Sequence, residues 1–211
     1  MKQLFLAALF SLTFMYGASA FAQIDDQSDP QALIRTATQQ VLDEVRTRAI
    51  DPNDIPRIMD IVNRDILPYV DFHYTTQLAV GRYWRSATPE QRERLAREFQ
   101  TLLIHLYSGA LAQLRPDQKI EYPPMRVSPG DTDVVVRTIA VTDTQPVEID
   151  YRLRKTAQGW RLYDLNVVGA WLVQTYRQQF GEKIAQSGID GLIQFLTERN
   201  QQLASGRPPQ S

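Results

Sequence analysis

The spacing of apolar residues changes twice along this chain, and the change limits what it can fold into. Before about residue 115 the apolar residues recur every three or four positions. Between about residues 120 and 168 the period falls to two, and beyond Trp171 the longer spacing returns. Strands set between two blocks of helices point to an α+β domain. The expected architecture is an antiparallel sheet of about four strands, with helices packed on its one apolar face. A curved sheet cupped by helices also leaves a concave space between the layers, which hosts an apolar ligand where side chains leave it open.

The helices carry their own boundaries. Ser28-Asp29-Pro30 opens the first, and Leu33, Ile34, Ala37, Val41, Leu42 and Val45 form its apolar face. A second helix runs from Asp54 through Ile58, Ile61, Val62 and Ile66 and stops at Pro68. Asp71 to Val80 reads as a short third. Thr88-Pro89-Glu90-Gln91 opens the longest, with Thr88 as cap, Pro89 in the first turn and Gln91 closing a capping box. Its stripe is Leu95, Phe99, Leu102, Leu103, Leu106 and Ala110, and it extends to about Leu114. Trp171 to Ile184 and Ile189 to Leu203 are the last two helical stretches.

The clearest strand is Val147 to Leu153. Val147, Ile149, Tyr151 and Leu153 alternate with Glu148, Asp150, Arg152 and Arg154, giving one apolar and one solvated face. Thr132 to Thr142 and Trp160 to Val168 flank it. Ile120 to Val127 is interrupted by Pro123-Pro124 and belongs at an edge.

Lys2, the uncharged run Leu4 to Tyr16 and two overlapping A-x-A sites read as a cleaved signal peptide, residues 1–22. The run is shorter than the roughly 20 apolar residues that span a bilayer. Cleavage after Ala22 leaves Gln23 first, and a cut after Ala20 also fits. No Cys follows, which excludes a lipid-anchored mature form. Residues 23–204 then form one domain, with a polar tail over 205–211 expected to be disordered. The lack of Cys also removes disulfides, thiol catalysis and thiolate metal sites. A net charge of −1 gives no basic footprint for nucleic acid.

Catalytic motifs are missing from the sequence. His73 and His105 have no metal-ligand spacing, and there is no nucleophile elbow, P-loop or dinucleotide fingerprint. No metal, cofactor or catalytic residue is assigned. Two general-base candidates remain as the enzyme alternative: Asp164, in an apolar strand, and the Asp71–His73 pair. For Asp164 a hydrogen-bonded structural role is the stronger reading. Arg82, Arg85, Arg92, Arg94 and Arg97 cluster locally, as a solvated face or as a docking patch for a partner or for anionic lipid heads.

Three stretches carry a family resemblance. The first is Val80-Gly81-Arg82-Tyr83-Trp84-Arg85 with Thr88-Pro89-Glu90-Gln91-Arg92, then Phe99 and Tyr107. The second is Asp150-Tyr151-Arg152-Leu153, leading to Gly159-Trp160-Arg161-Leu162-Tyr163-Asp164. The third is Gly169, Tyr176-Arg177, Phe180 and Gly188-Ile189-Asp190-Gly191-Leu192. Together they resemble the MlaC family of periplasmic phospholipid-binding proteins, also called the toluene-tolerance family. The resemblance implies an NTF2-like fold, phospholipid as cargo and a hydrophobic pocket for its acyl chains. It also implies exchange of lipid between an outer-membrane MlaA–porin complex and MlaD of an inner-membrane ABC transporter, in support of outer-membrane lipid asymmetry. Candidate lining residues are Phe99, Leu103, Leu106 and Tyr107 of the long helix, Val134, Val136, Ile149, Tyr151 and Leu165 of the strands, and Trp171 and Tyr176. Arg82, Arg85, Arg92 and Arg97 are the docking candidates. Where the family often has a small residue after Gly-Val, this chain has Gly169-Ala170-Trp171, which places a bulky ring where it would reshape the pocket.

Overall fold

The computed structural model describes residues 29–205, apart from 48, 49, 52, 143 and 144. The expected signal peptide and all of the tail beyond Ser205 lie outside the described residues. No helix among those described is long and apolar enough to cross a membrane.

Each helix starts where a side chain can satisfy its free amides. Helix α1 spans Pro30–Thr47, and Asp29 Oδ1 accepts from the amides of Gln31 and Ala32. Helix α2, Ile55–Ile61, is capped by Asp54 and continues as a wide turn over Val62–Ile66 and a tight one over Leu67–Tyr69. Arg64 holds this segment to α1 through Asp65 and Glu44. Helix α3, Phe72–Val80, is capped by Asp71. Helix α4, Pro89–Ala112, carries the Thr88–Gln91 capping box in full.

The strands form one antiparallel meander, in the order β1 (Lys119–Glu121), β2 (Asp133–Val141), β3 (Val147–Thr156), β4 (Gly159–Val167) and β5 (Ala170–Trp171). The expected edge strand is β1, and it stops two residues before Pro123, where the ladder would lose its donor. The fifth strand is two residues long, too short to show a period, and Trp171 pairs in it instead of opening the last helix. Helix α5, Leu172–Ala204, follows at once.

The register divides the sheet into two faces. Val134 lies opposite Leu153, Val136 opposite Tyr151 and Thr138 opposite Ile149, while Leu165 and Val167 continue the last two rows in β4. Leu33 and Ile34 of α1 close one end of this apolar face, over Val134, Val136, Leu153 and Trp160. The opposite face holds ion pairs, Arg137 with Asp150 at 2.7 Å and Arg152 with Asp164 at 3.3 Å. Contrary to the expectation of a single covered face, α3 and the start of α5 fasten to the polar side and free edge of β4. The amide of Asp71 donates to the carbonyl of Leu162 at 2.8 Å, Thr75 Oγ1 donates to the carbonyl of Tyr163, and Arg154 pairs with Asp71 at 3.2 Å.

A second core joins α3, α4 and α5, and a third joins the end of α1 to α2 and Ile104 of α4. Among the described residues, the principal neighbours of α4 are helices, with no strand among them.

Candidate functional site

The helical core places a wall of rings beside an open cleft. Phe99 is fully buried, and its ring meets Tyr176 at 4.7 Å and Phe180 at 5.0 Å. A cleft of about 410 Å³ opens next to them, lined by Leu102, Leu106, Tyr176, Gln179, Phe180, Phe195, Glu198, Arg199 and Gln202. A straight helix would hold Tyr176 and Gln202 about 39 Å apart, at 1.5 Å per residue. They share one cleft because α5 breaks at Gly188, whose φ of 72° and ψ of −178° are non-helical. Residues 189–204 therefore fold back along residues 172–187. Gly191 completes the reversal, because a Cβ there would overlap the side chain of Ser187.

Burial pushes the Tyr176 hydroxyl up to about 12; the nearby Tyr107 adds to the rise and Arg199 opposes it. Partial desolvation beside Tyr176 shifts Tyr107 upward as well, although its side chain stays exposed. Leu103 packs half-buried against the helical core, while Leu106 and Tyr107 are exposed.

On the sheet, Val134 and Val136 are buried under α1, and Tyr151 packs against the same cluster. The Tyr151 hydroxyl accepts from Thr138 Oγ1 at 3.3 Å. Ile149 and Leu165 are half-buried and belong to none of the three cores. Trp171 lies on the other face, with the Arg152 guanidinium 3.8 Å from its ring centre. It lines a separate, polar hollow of about 450 Å³ with Gln174, Gln178 and Glu182. The candidate lining thus divides into a helical set around the cleft, a sheet set on the apolar face, and Trp171 apart from both.

Asp164 is 4% exposed. Its Oδ1 accepts from the amides of Leu165 and Val173, and its Oδ2 from Arg152. Burial still raises its pKa, against these donors. Asp71 is engaged by the Tyr74 amide and by Arg154, while His73 lies edge-on to the Trp84 ring at 5.0 Å. Among the docking candidates, Arg92 is half-buried and donates to the carbonyls of Trp84 and Arg85. Arg82 donates to the Tyr83 hydroxyl. Arg85, Arg94 and Arg97 are exposed and form no ion pair among the described residues.

The sequence profile of the MlaC protein matches residues 35–198. The chain belongs to the MlaC family. A structure of a phospholipid-binding protein from Ralstonia solanacearum, solved in complex with a phospholipid, superposes with a TM-score of 0.79 at 43% identity. The match covers 84% of this chain and 99% of that one. The intermembrane phospholipid transport system binding protein MlaC of Haemophilus influenzae (strain ATCC 51907 / DSM 11121 / KW20 / Rd) is 26% identical over 92% of this chain and 91% of its own. The toluene tolerance protein ttg2D of Pseudomonas putida is 23% identical, over 76% of this chain and 75% of its own.

In this MlaC-family chain the motif residues do structural work around the cleft. Gly81, at φ 64°, lets the Arg177 guanidinium pass close by, and Gly188 and Gly191 make the reversal of α5. That reversal brings Phe195, Glu198, Arg199 and Gln202 into the lining beside Gln179 and Phe180, six residues that the sequence reading did not select for the pocket. A signal for four of them was present. Phe195, Glu198, Arg199 and Gln202 stand at i, i+3, i+4 and i+7, on one face of a helix.

Proposed function

We propose that this protein is a periplasmic phospholipid carrier. The observation that carries the reading is apolar surface left outside the packed cores. Ile149 and Leu165 on the sheet, with Leu106 and Tyr107 on α4, belong to none of the three cores, and α4 has no strand as a principal neighbour. Acyl chains entering between sheet and helices supply the missing contacts. The Ralstonia relative, solved with a phospholipid bound, supports the same cargo here.

The energetics suit a shuttle. Burying a chain of about 16 carbons is worth roughly 13 kcal/mol, at about 0.8 per methylene. Free lipid therefore does not cross water at a useful rate. A bilayer buries the same methylenes, so transfer from membrane to an apolar pocket is close to balance and the protein both loads and unloads. The exchange then runs between an MlaA–porin complex at the outer membrane and MlaD at the inner membrane, a route that the naming of the Haemophilus influenzae relative as an intermembrane phospholipid transport system binding protein supports. Arg82, Arg85 and Arg97 are available for docking there, whereas Arg92 is committed to the fold.

Mass spectrometry of an organic extract of the purified protein tests the cargo. Diacyl phospholipid near or above one molecule per protein is expected, and its absence from protein purified without detergent overturns the reading. Exchange between anionic vesicles that slows as salt rises checks the electrostatic part.

A further inference from the structure

The cleft between α4 and the folded-back α5 combines two chemistries that the free protein leaves unmatched. Its apolar part includes Leu106, 43% exposed, and Phe195, 41% exposed, large side chains that a sealed core would cover. Its polar part includes Arg199, which is half-buried. Among the described residues, Arg199 has no ion pair and no hydrogen bond. The neighbouring carboxylate, Glu198, accepts from Gln194 Nε2 at 2.8 Å on its own helix.

A half-buried cation beside apolar surface loses hydration and gains no anion in return. An amphiphile with an anionic head supplies both missing partners at once. The planar guanidinium matches two oxygens of a phosphate diester, and a point-charge site would not select that geometry. The Tyr176 hydroxyl and the amides of Gln179 and Gln202, which line the same cleft, are further donors for the remaining oxygens.

We propose that this cleft is the headgroup subsite of the carrier: Arg199 binds the phosphodiester of a phospholipid, and the first part of an acyl chain lies on Leu102, Leu106 and Phe195. The proposal rests on the carrier reading above but is separable from it. It assigns the cleft to an oxyanion with a chain attached, so inorganic phosphate alone is a weaker ligand.

The test uses the purified full protein and the variants Arg199→Gln and Arg199→Lys. The probes are dihexanoyl phosphatidylglycerol, dihexanoylglycerol (which lacks the phosphate) and inorganic phosphate. Arg199→Gln should bind the phosphatidylglycerol about tenfold or more weakly, the size of a lost charge-assisted contact. Arg199→Lys should recover part of that affinity, and dihexanoylglycerol should bind all three proteins alike. The thermal midpoint of lipid-free protein should not change, because Arg199 forms no ion pair and no hydrogen bond among the described residues. Equal phosphatidylglycerol affinity in parent and Arg199→Gln, with lipid still extracted from both, overturns the subsite and leaves the carrier standing. Inorganic phosphate binding as tightly as the lipid, and lost in Arg199→Gln, identifies a simple anion site and overturns the chain half. A parent that yields no lipid and binds neither glycerolipid overturns both readings.

Discussion

Asp164 on β4 ties the sheet to the first turn of α5 through the Val173 amide and to β3 through Arg152, the hydrogen-bonded structural role expected of it. An acid in an apolar strand invites a catalytic reading, yet both of its oxygens are held by donors at 4% exposure. A general base needs a lone pair open to substrate. Burial raises the pKa of Asp164 above its ordinary 3.8, so the folded state holds its proton to higher pH than the unfolded chain does. Its contribution to stability is therefore complete below the unfolded value and declines as pH rises through the folded one. Asp164→Asn keeps the Oδ1 acceptor for both amides and removes the charge. Its thermal midpoint should gain on the parent's as pH rises from about 4 to about 7. A midpoint that loses ground over that range would show that the attraction of Arg152 outweighs burial.

At the scale of elements, the helix starts were the most legible part of the fold, because a cap is local chemistry. Thr88, Asp54, Asp71 and Asp29 each do what their position suggests. What could not be read was direction. The apolar spacing breaks between Ile184 and Ile189 in the sequence, but the break does not say whether the chain bends or turns back. That is decided by the backbone of Gly188, in a region of φ and ψ open almost only to glycine. Two glycines of α5 therefore respond in opposite ways. Gly188→Ala should cost about 1–3 kcal/mol, since alanine does not tolerate that conformation. Gly181→Ala sits in helix with nothing within 4 Å of a new Cβ and should gain up to about 1 kcal/mol. Thermal unfolding of both variants decides this; similar shifts in the two would mean that the reversal is not set at Gly188. β5 was missed for a simpler reason, since two residues define no alternation.

Across the whole molecule, the sequence indicated which layers carry apolar faces, but not how far apart they stand. Ile149, Tyr151, Leu103 and Leu106 all read as interior, and residue type alone cannot separate a filled interface from an open one. The structure does separate them. Tyr151 is packed against the core under α1, while Ile149, one row further along the same strand, is half-buried and outside every core. Its neighbours on the adjacent strands are Thr138 and Val167. Replacing Ile149 with Trp adds bulk without charge, and the outcome depends on whether space exists there. In a packed site the larger ring costs about 1–3 kcal/mol through strain. In an open one it fills volume that an acyl chain would use, at less cost to the fold. Ile149→Trp is therefore expected to stay folded with a nearly unchanged midpoint and to carry less phospholipid than the parent. Thermal unfolding and extracted phospholipid per protein, measured on one preparation, give both numbers. A stable variant with undiminished lipid would remove Ile149 from the pocket. A large loss of stability in protein already free of lipid would mean that the sheet end is filled by side chains, and the chains would then have to lie along the helices instead.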